Sequence, residues 1–182
     1  MRIEKQEIAD VLLITLDRFE DARGWFIERY HETKWADLGF SEPFVQDNYS
    51  RSLPGVLRGL HYQHEPAQGK LVGVTRGRIY DVAVDLRIGS PTFGQHIGAE
   101  LNDENNQLLW VPPGFGHGFC VLGDEPADVT YKVSGAYNPQ GEGGVRYDDP
   151  ALAIAWPIDN PTLSARDAAL PSLEAYKMKV TA

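Results

Sequence analysis

The chain has 182 residues, of which 42% are hydrophobic, and this length is enough for one well-buried core. Its formal charge of -9 argues against nucleic acid or an anionic membrane surface as a partner, because both require clustered Lys and Arg. No apolar run approaches the ~20 residues that span a bilayer, and the first residues lack the basic-then-apolar pattern of a signal peptide. We therefore expect a cytoplasmic protein. Its single cysteine, Cys120, agrees with a reducing compartment.

Short segments rich in Val, Ile, Tyr, Phe and Leu recur between clusters of Gly, Pro, Asn and Asp, a pattern typical of antiparallel strands. The predicted strands cover residues 11–16, 25–30, 44–50, 56–63, 71–75, 78–86, 94–101, 107–111, 116–122 and 128–133. In 78–86, apolar residues alternate with a mixed set, which predicts a half-buried or site-lining strand. Two short helices are predicted, at 31–38 and 164–170.

About ten closely spaced strands with few helical signals favour a sandwich, barrel or jelly roll over a parallel α/β sheet. The sequence contains no internal repeat, low-complexity tract or linker. We expect one domain over residues 1–182. The segment from about 148 to 182 is richer in Ala and Pro and is expected to wrap around the β core.

The segment 55–70 raises the question of a metal site, since it holds two histidines, an arginine and a lysine. Residues 112–117 resemble the second sequence motif of the cupins, whose jelly rolls often bind a metal through histidines. The first cupin motif is only half present: His61 stands at one ligand position, but Gln63 and Gln68 replace the other histidine and the carboxylate. Neutral carboxamides are poor ligands for a divalent cation. The sequence therefore predicts no metal site.

Two other kinds of chemistry are disfavoured. Cys120 lies in the apolar run FCVL, which favours a buried, inert thiol over a nucleophile. The glycines of 114–118 have the wrong spacing for a dinucleotide-binding loop. Proton transfer is the chemistry that remains. The residues alone also allow a structural interpretation of Asp167, because Ser164 to Asp167 forms a plausible helix capping box in which Asp167 reaches back to the Ser164 amide.

A series of stretches from about residue 10 to 170 resembles the dTDP-4-dehydrorhamnose 3,5-epimerase family. They are DARGWF (21–26), QDNYS (46–50), GVLRGLHYQ (55–63), QGKLV (68–72), DVAVDLR (81–87), SPTFG (90–94), PGFGHGF (113–119), YK (131–132), DP (149–150) and LSARD (163–167). The resemblance implies an all-β, cupin-type jelly roll with short peripheral and C-terminal helices. It also implies a homodimer that works without metal or other cofactor.

The activity implied by the resemblance is inversion at C3 and C5 of dTDP-4-dehydro-6-deoxy-D-glucose to give dTDP-4-dehydro-L-rhamnose. Both carbons adjoin the C4 ketone, so loss of either proton gives an enolate, and the enzyme needs a base, a donor at the ketone oxygen and an acid on the opposite face. The resemblance assigns His61 as the base, oriented by Asp167, Lys70 as the cation near the C4 oxygen, and Tyr131 as the acid.

The resemblance further implies a set of substrate contacts. Arg23, Arg58 and Arg166 would bind the two phosphates, since guanidinium groups match phosphate geometry, and His117 would lie near the sugar. The other implied contacts are Phe26, Glu28, Gln46, Asp47, Asn48, Lys70, Phe119 and Glu142. Some of these, including Arg23, Phe26 and Glu28, are expected to reach the site across the dimer.

Three alternatives stay open from the sequence. The segment 135–139 reads GAYNP where the family commonly has paired tyrosines, and Tyr147 stands where a tryptophan is frequent. The first alternative is an epimerase acting at C3 or C5 alone, which would share the same proton-transfer residues. The others are a metal-dependent cupin oxygenase or isomerase and a noncatalytic carbohydrate-binding jelly roll.

Overall fold

The computed structural model describes residues 1–40 and 43–181. In this part of the chain the strands are β1 (Arg2–Lys5), β2 (Leu12–Thr15), β3 (Phe19–Asp21), β4 (Gly24–Phe26), β5 (Gln46–Ser52), β6 (Leu57–Gln63), β7 (Lys70–Arg76), β8 (Arg78–Asp85), β9 (His96–Asn102), β10 (Gln107–Val111), β11 (Phe115–Val121), β12 (Ala127–Val133) and β13 (Glu142–Gly144). The helices are α1 (Glu32–Asp37), α2 (Ala165–Ala168) and α3 (Leu173–Thr181).

Two antiparallel sheets form the body of the fold. One has the strand order β1-β2-β10-β7-β12-β5, the other has the order β13-β6-β11-β8-β9, and β3 and β4 form a separate hairpin. Val72 and Val129 of the first sheet pack with Ile79, Ala83 and Phe119 of the second in a shared apolar core. The prediction of an all-β fold of antiparallel strands is thereby confirmed.

Strand β8 shows how the second sheet is buried on both sides. Its inward residues Ile79 and Ala83 belong to the core between the sheets, as the alternation requires. Its outward residues, Val82 and Val84, pack instead against Tyr176 and other residues of the C-terminal segment. The alternation was therefore interpreted correctly, but the expectation of a half-buried strand was wrong, because residues from 152 onward cover the outer face.

All ten predicted strands have a counterpart, with one clear difference in extent: the segment 25–30 contributes only Gly24–Phe26. The sequence analysis missed β1, β3 and β13, whose residues RIEK, FED and EGG lack the apolar, β-branched character of typical strands. These strands exist because a neighbour pairs with them. The two predicted helices correspond to α1 and α2, whereas α3 was missed, although Ser172 caps it by accepting a hydrogen bond from the Ala175 amide at 3.2 Å.

Among the described residues, no helix is both long and apolar enough to cross a membrane.

Candidate active site

A cavity of about 420 Å³ is lined by residues of both sheets. His61 on β6 and His117 on β11 come from the five-stranded sheet, and Lys70 on β7 and Tyr131 on β12 come from the six-stranded sheet. A molecule in this cavity therefore meets imidazole groups on one side and an ammonium and a phenol on the other.

The two histidines are direct neighbours across strands β6 and β11, which pair antiparallel with His61 opposite His117. Beside them the strands come unusually close: a Cβ atom on Gly59 would lie 2.5 Å from the Cα of Gly118. Gly59 also has φ = 115°, a conformation that side chains rarely adopt. The glycines in the motifs RGLH and GHGF thus bring the two histidines together on one face.

His61 forms a dyad with the buried Asp167, whose Oδ1 lies 2.6 Å from the imidazole Nε2. The Asp167 amide also donates to Ser164 Oγ at 3.0 Å, so Ser164 does cap helix α2. The capping-box interpretation is therefore only half right: Ser164 accepts from the Asp167 amide, but the Asp167 carboxylate binds His61 and not the Ser164 amide. Burial lowers the pKa of His61, and Asp167 partly opposes this shift.

Lys70 is a buried cation at the start of β7, with only 6% of its surface exposed. Burial lowers its pKa to about 8, although the negative charges of Glu142 and Asp81 favour the protonated form. Lys70 forms no ion pair within the described part of the chain, and it lines the cavity. Its ammonium group is therefore available to stabilise negative charge that develops on a bound molecule.

Tyr131 lies in the middle of β12, between Val72 on one side and Asn48 on the other. Burial raises the pKa of its phenol, and the nearby Arg58 opposes the shift. At neutral pH the phenol keeps its proton and can donate it. The three side chains assigned to proton transfer and enolate stabilisation thus all border one cavity, and the carboxylate of Asp167 holds the imidazole from behind.

Most of the predicted substrate contacts border the same cavity: Gln46, Asn48, Arg58, Lys70, His117, Phe119 and Glu142. Arg58 is held in place by Ser52, whose Oγ accepts from Nε at 2.9 Å. Arg166 reaches the cavity through Glu142, with which it forms an ion pair at 2.9 Å.

Four predicted contacts lie elsewhere in this single chain. Asp47 points to the other side of β5, where it pairs with Lys132 at 2.8 Å. Arg23 pairs with Asp21 on the exposed β3–β4 hairpin, and Phe26 of the same hairpin is 64% exposed. Glu28 pairs with Lys34 at 2.7 Å. None of the four borders the cavity of its own chain as the structure describes it.

Residues that the sequence analysis did not nominate also line the cavity, namely Ser50, Tyr62, Gln63, Gln68 and Tyr137. The two glutamines that replace cupin ligands serve the backbone: Gln63 Nε2 donates to the carbonyls of Pro66 and Ala136 at 2.8 and 2.9 Å, and Gln68 Nε2 donates to that of Gly135 at 2.7 Å. They fix the segment that carries Tyr137. Nothing in a single sequence indicates this use of a carboxamide. Within residues 1–40 and 43–181, no three His, Cys, Asp or Glu side chains are grouped as a metal ligand set.

Comparison with known proteins decides the family. Residues 5–175 match the family model described as dTDP-4-dehydrorhamnose 3,5-epimerase. The chain belongs to the dTDP-4-dehydrorhamnose 3,5-epimerase family. It is 48% identical over 169 residues to the Shigella flexneri dTDP-4-dehydrorhamnose 3,5-epimerase, covering 92% of this chain and 93% of that protein.

A solved structure of a family member confirms the fold. The dTDP-6-deoxy-D-glucose-3,5-epimerase of Legionella pneumophila, crystallised with dTDP-4-keto-L-rhamnose, superposes with a TM-score of 0.92 at 46% identity, covering 95% of this chain and 93% of that one. The prediction of a cupin-type jelly roll is thereby confirmed, and the chain is an epimerase. The family resemblance also extends to a dTDP-4-dehydrorhamnose 3-epimerase of Streptomyces niveus, 43% identical over 92% of this chain and 81% of that protein.

The His61–Asp167 dyad of this epimerase leads to a prediction about titration. The imidazole of His61 is expected to titrate below about pH 6.5, the ordinary value, because burial penalises its charged form. Asp167→Asn should lower that pKa further, since it removes the charge that favours the imidazolium. NMR of ¹⁵N-labelled histidine, assigned with His61→Gln, measures both. Asp148→Asn, which changes a surface carboxylate paired with Arg146, is the control and should leave the titration unchanged. A higher pKa in Asp167→Asn would contradict the arrangement.

Proposed function

We propose that this epimerase inverts C3 and C5 of dTDP-4-dehydro-6-deoxy-D-glucose, giving dTDP-4-dehydro-L-rhamnose in dTDP-L-rhamnose biosynthesis. One observation carries the proposal: His61 and Tyr131 belong to opposite sheets and border the same cavity. A sugar ring between the sheets has the base at one face and the acid at the other. Inversion of a carbon centre requires this arrangement, because the proton must leave from one face and return to the other.

Proton removal is assigned to His61. Its Nε2 is occupied by Asp167, which leaves Nδ1 to take the proton from C3 or C5. The electron pair of the broken C–H bond forms a double bond to C4, and the π electrons of the C4 carbonyl move onto its oxygen, which becomes an enolate oxygen. Lys70 stabilises that oxygen from within a buried site, where an ionic contact is stronger than in water. Asp167 stabilises the imidazolium that forms.

Return of the proton is assigned to Tyr131. The enolate re-forms the carbonyl as its carbon takes the phenolic proton on the opposite face, and the phenolate then recovers a proton from solvent. His61 loses its own proton to solvent before the second carbon reacts. Two rounds of this cycle, one at C3 and one at C5, complete the conversion, and each round places one solvent-derived proton on carbon.

Nucleotide binding is assigned to residues around the cavity entrance. Arg58 would bind a phosphate from within the cavity, and Arg166 would do so once it leaves Glu142. Gln46, Asn48, His117 and Phe119 would contact the sugar or the nucleoside. The Legionella relative was crystallised with dTDP-4-keto-L-rhamnose, a ligand of this chemistry.

The working unit is proposed to be a homodimer. The β3–β4 hairpin exposes Phe19, Trp25 and Phe26, with 62%, 58% and 64% of their surfaces accessible in the single chain. Such a group of exposed aromatic side chains marks an interaction surface. A second copy of the chain would cover it and receive Arg23, Phe26 and Glu28 at its own cavity, which explains why these residues lie outside the cavity of their own chain.

Epimerisation at a single carbon is the second candidate, and the identity to the Streptomyces niveus 3-epimerase favours it. Both activities need the same base, cation and acid. They differ only in whether the ring can present its second carbon to His61 and Tyr131.

Proton exchange in D₂O distinguishes these activities. NMR of dTDP-4-dehydro-6-deoxy-D-glucose with the enzyme should show one deuteron at C3 and one at C5 of the product. His61→Ala should slow exchange by about 100-fold or more, the usual range for loss of a general base. Tyr131→Phe should keep exchange but lose inversion, because the base face is intact.

Each other result has a definite meaning. Deuterium at one carbon only identifies the single-position epimerase. Binding of the sugar nucleotide without any exchange would support a noncatalytic jelly roll, and loss of activity to a chelator would support a metal-dependent enzyme. Exchange as fast in His61→Ala as in the wild type would disprove the assigned base.

The pH profile of kcat/KM should be bell-shaped. Activity falls on the acidic side as His61 gains a proton, and its lowered pKa puts this limb below about pH 6.5. Activity falls on the basic side as Lys70 loses its proton, at a pKa of about 8. Lys70→Arg is the matched variant, since a guanidinium does not titrate in this range: its residual activity should lack the basic limb. A wild-type basic limb above about pH 10, where an unburied lysine titrates, would contradict the role of Lys70.

The shared site is tested by mixing two inactive chains. Arg23→Ala and His61→Ala should each form dimers of low activity. When the two variants are co-expressed, a mixed dimer contains one site with an intact His61 and an intact Arg23 from the other chain. Activity should therefore recover in the mixture. No recovery, with mixed dimers verified by mass spectrometry, would mean that Arg23 serves its own chain.

A further inference from the structure

The five-stranded sheet carries a second His–Asp pair beside the first. His117 Nε2 lies 2.7 Å from Oδ1 of Asp81 on β8, and the Asp81 side chain has no exposed surface. His61 and His117 are thus both bound at Nε2 by a buried carboxylate, on neighbouring strands and at directly opposed positions. The base role assigned to His61 uses the first carboxylate. The second carboxylate, that of Asp81, has no part in this role.

Asp81 also has an oxygen without a partner. Its Oδ2 is fully buried and accepts no hydrogen bond within the described part of the chain. A buried carboxylate oxygen without a donor is costly, and in a native protein it calls for a specific reason. A neutral residue at this position would avoid the cost of burying a charge. We therefore expect the negative charge of Asp81 to have a function.

The position of Asp81 points to Lys70. The neighbours Ile79 and Ala83, two residues away on either side, face the core between the sheets, so Asp81 faces the same way. Across that core, Val72 belongs to the same apolar cluster and places Lys70, two residues before it, on the inner face of β7. The buried carboxylate and the buried ammonium therefore face each other from opposite sheets.

The other carboxylate that favours the charged form of Lys70 is that of Glu142. Glu142 borders the cavity, but its carboxylate already pairs with Arg166. The other titratable or charged side chains around the cavity are Arg58, His61, His117, Tyr131 and Tyr137, with Asp167 behind His61. The arginine, histidine and tyrosine side chains in this cavity wall carry no negative charge at neutral pH.

We infer that Asp81 is a positioning residue for the epimerisation, which holds His117 through Oδ1 and keeps Lys70 cationic through the charge on Oδ2. This inference rests on the proposed function, because the ammonium matters only if negative charge develops on a bound substrate. Asp81 itself touches no substrate. By binding Nε2 it leaves Nδ1 of His117 as the nitrogen that faces the cavity.

The consequence for Lys70 has a definite sign. Burial lowers the pKa of Lys70, and Glu142 acts in the opposite direction; so does the negative charge of Asp81. Removal of that charge should therefore lower the pKa further.

NMR of protein labelled with [¹³C]lysine tests this without recourse to activity. Lys70 is one of six lysines, and its signal is the one lost in Lys70→Arg. In the wild type it should titrate near pH 8. In Asp81→Asn, which keeps an acceptor for His117 but removes the charge, it should titrate at a lower pH than in the wild type. Asp128→Asn is the matched control, because Asp128 is also a buried carboxylate but pairs with Arg51 away from the cavity.

Two further measurements make the result decisive. Asp81→Ser, a smaller neutral substitution, should give the same shift, and serves if Asp81→Asn does not fold. The basic limb of kcat/KM should move with the Lys70 titration in the Asp81 variants, while the acidic limb set by His61 stays in place. An unchanged Lys70 titration in a folded Asp81 variant would overturn the inference. Absence of deuterium exchange in the wild type would instead refute the proposed function and leave the lysine titration interpretable.

Discussion

The site depends on the face-to-face packing of two antiparallel sheets. Side chains alternate along each strand, so each sheet sends every second residue into the space between them. Most of these residues are apolar and form the shared core, and at one end they give way to His61 and His117 from one sheet and Lys70 and Tyr131 from the other. A sugar ring bound there would meet different chemical groups at its two faces. The opposition needed for inversion is thus a property of the fold.

Rigid supports fix the reactive groups within this frame. The imidazoles stand on β6 and β11, where Gly59 and Gly118 permit close strand contact. Ser164 caps the short helix α2 through the Asp167 amide, and this directs the carboxylate toward His61. Glycine residues and one helix cap therefore determine where His61 and its carboxylate partner lie.

Much of the fold and of the site could be predicted from the sequence, because strong local patterns carried the information. The alternation in 78–86 was sufficient for strand β8, and the motifs around His61 and His117 carried much of the resemblance to the family. Strand β13, with the residues EGG, could not be predicted, since it exists only through its pairing with β6. The role of Gln63 was equally hidden: it depends on carbonyls of Pro66 and Ala136, and the latter lies 73 positions away. Such contacts depend on the tertiary structure.

Burial links the three reactive groups. It lowers the pKa of His61 and of Lys70, and it raises the pKa of Tyr131. The first and third shifts favour the states that the reaction needs, a neutral imidazole and a protonated phenol. The second opposes the reaction, because enolate stabilisation needs an ammonium. The same desolvated cavity suits all three proposed roles only with negative charge near Lys70. Glu142 supplies such charge from the cavity wall, and Asp81, which is buried and bound to His117, supplies it from outside the cavity lining.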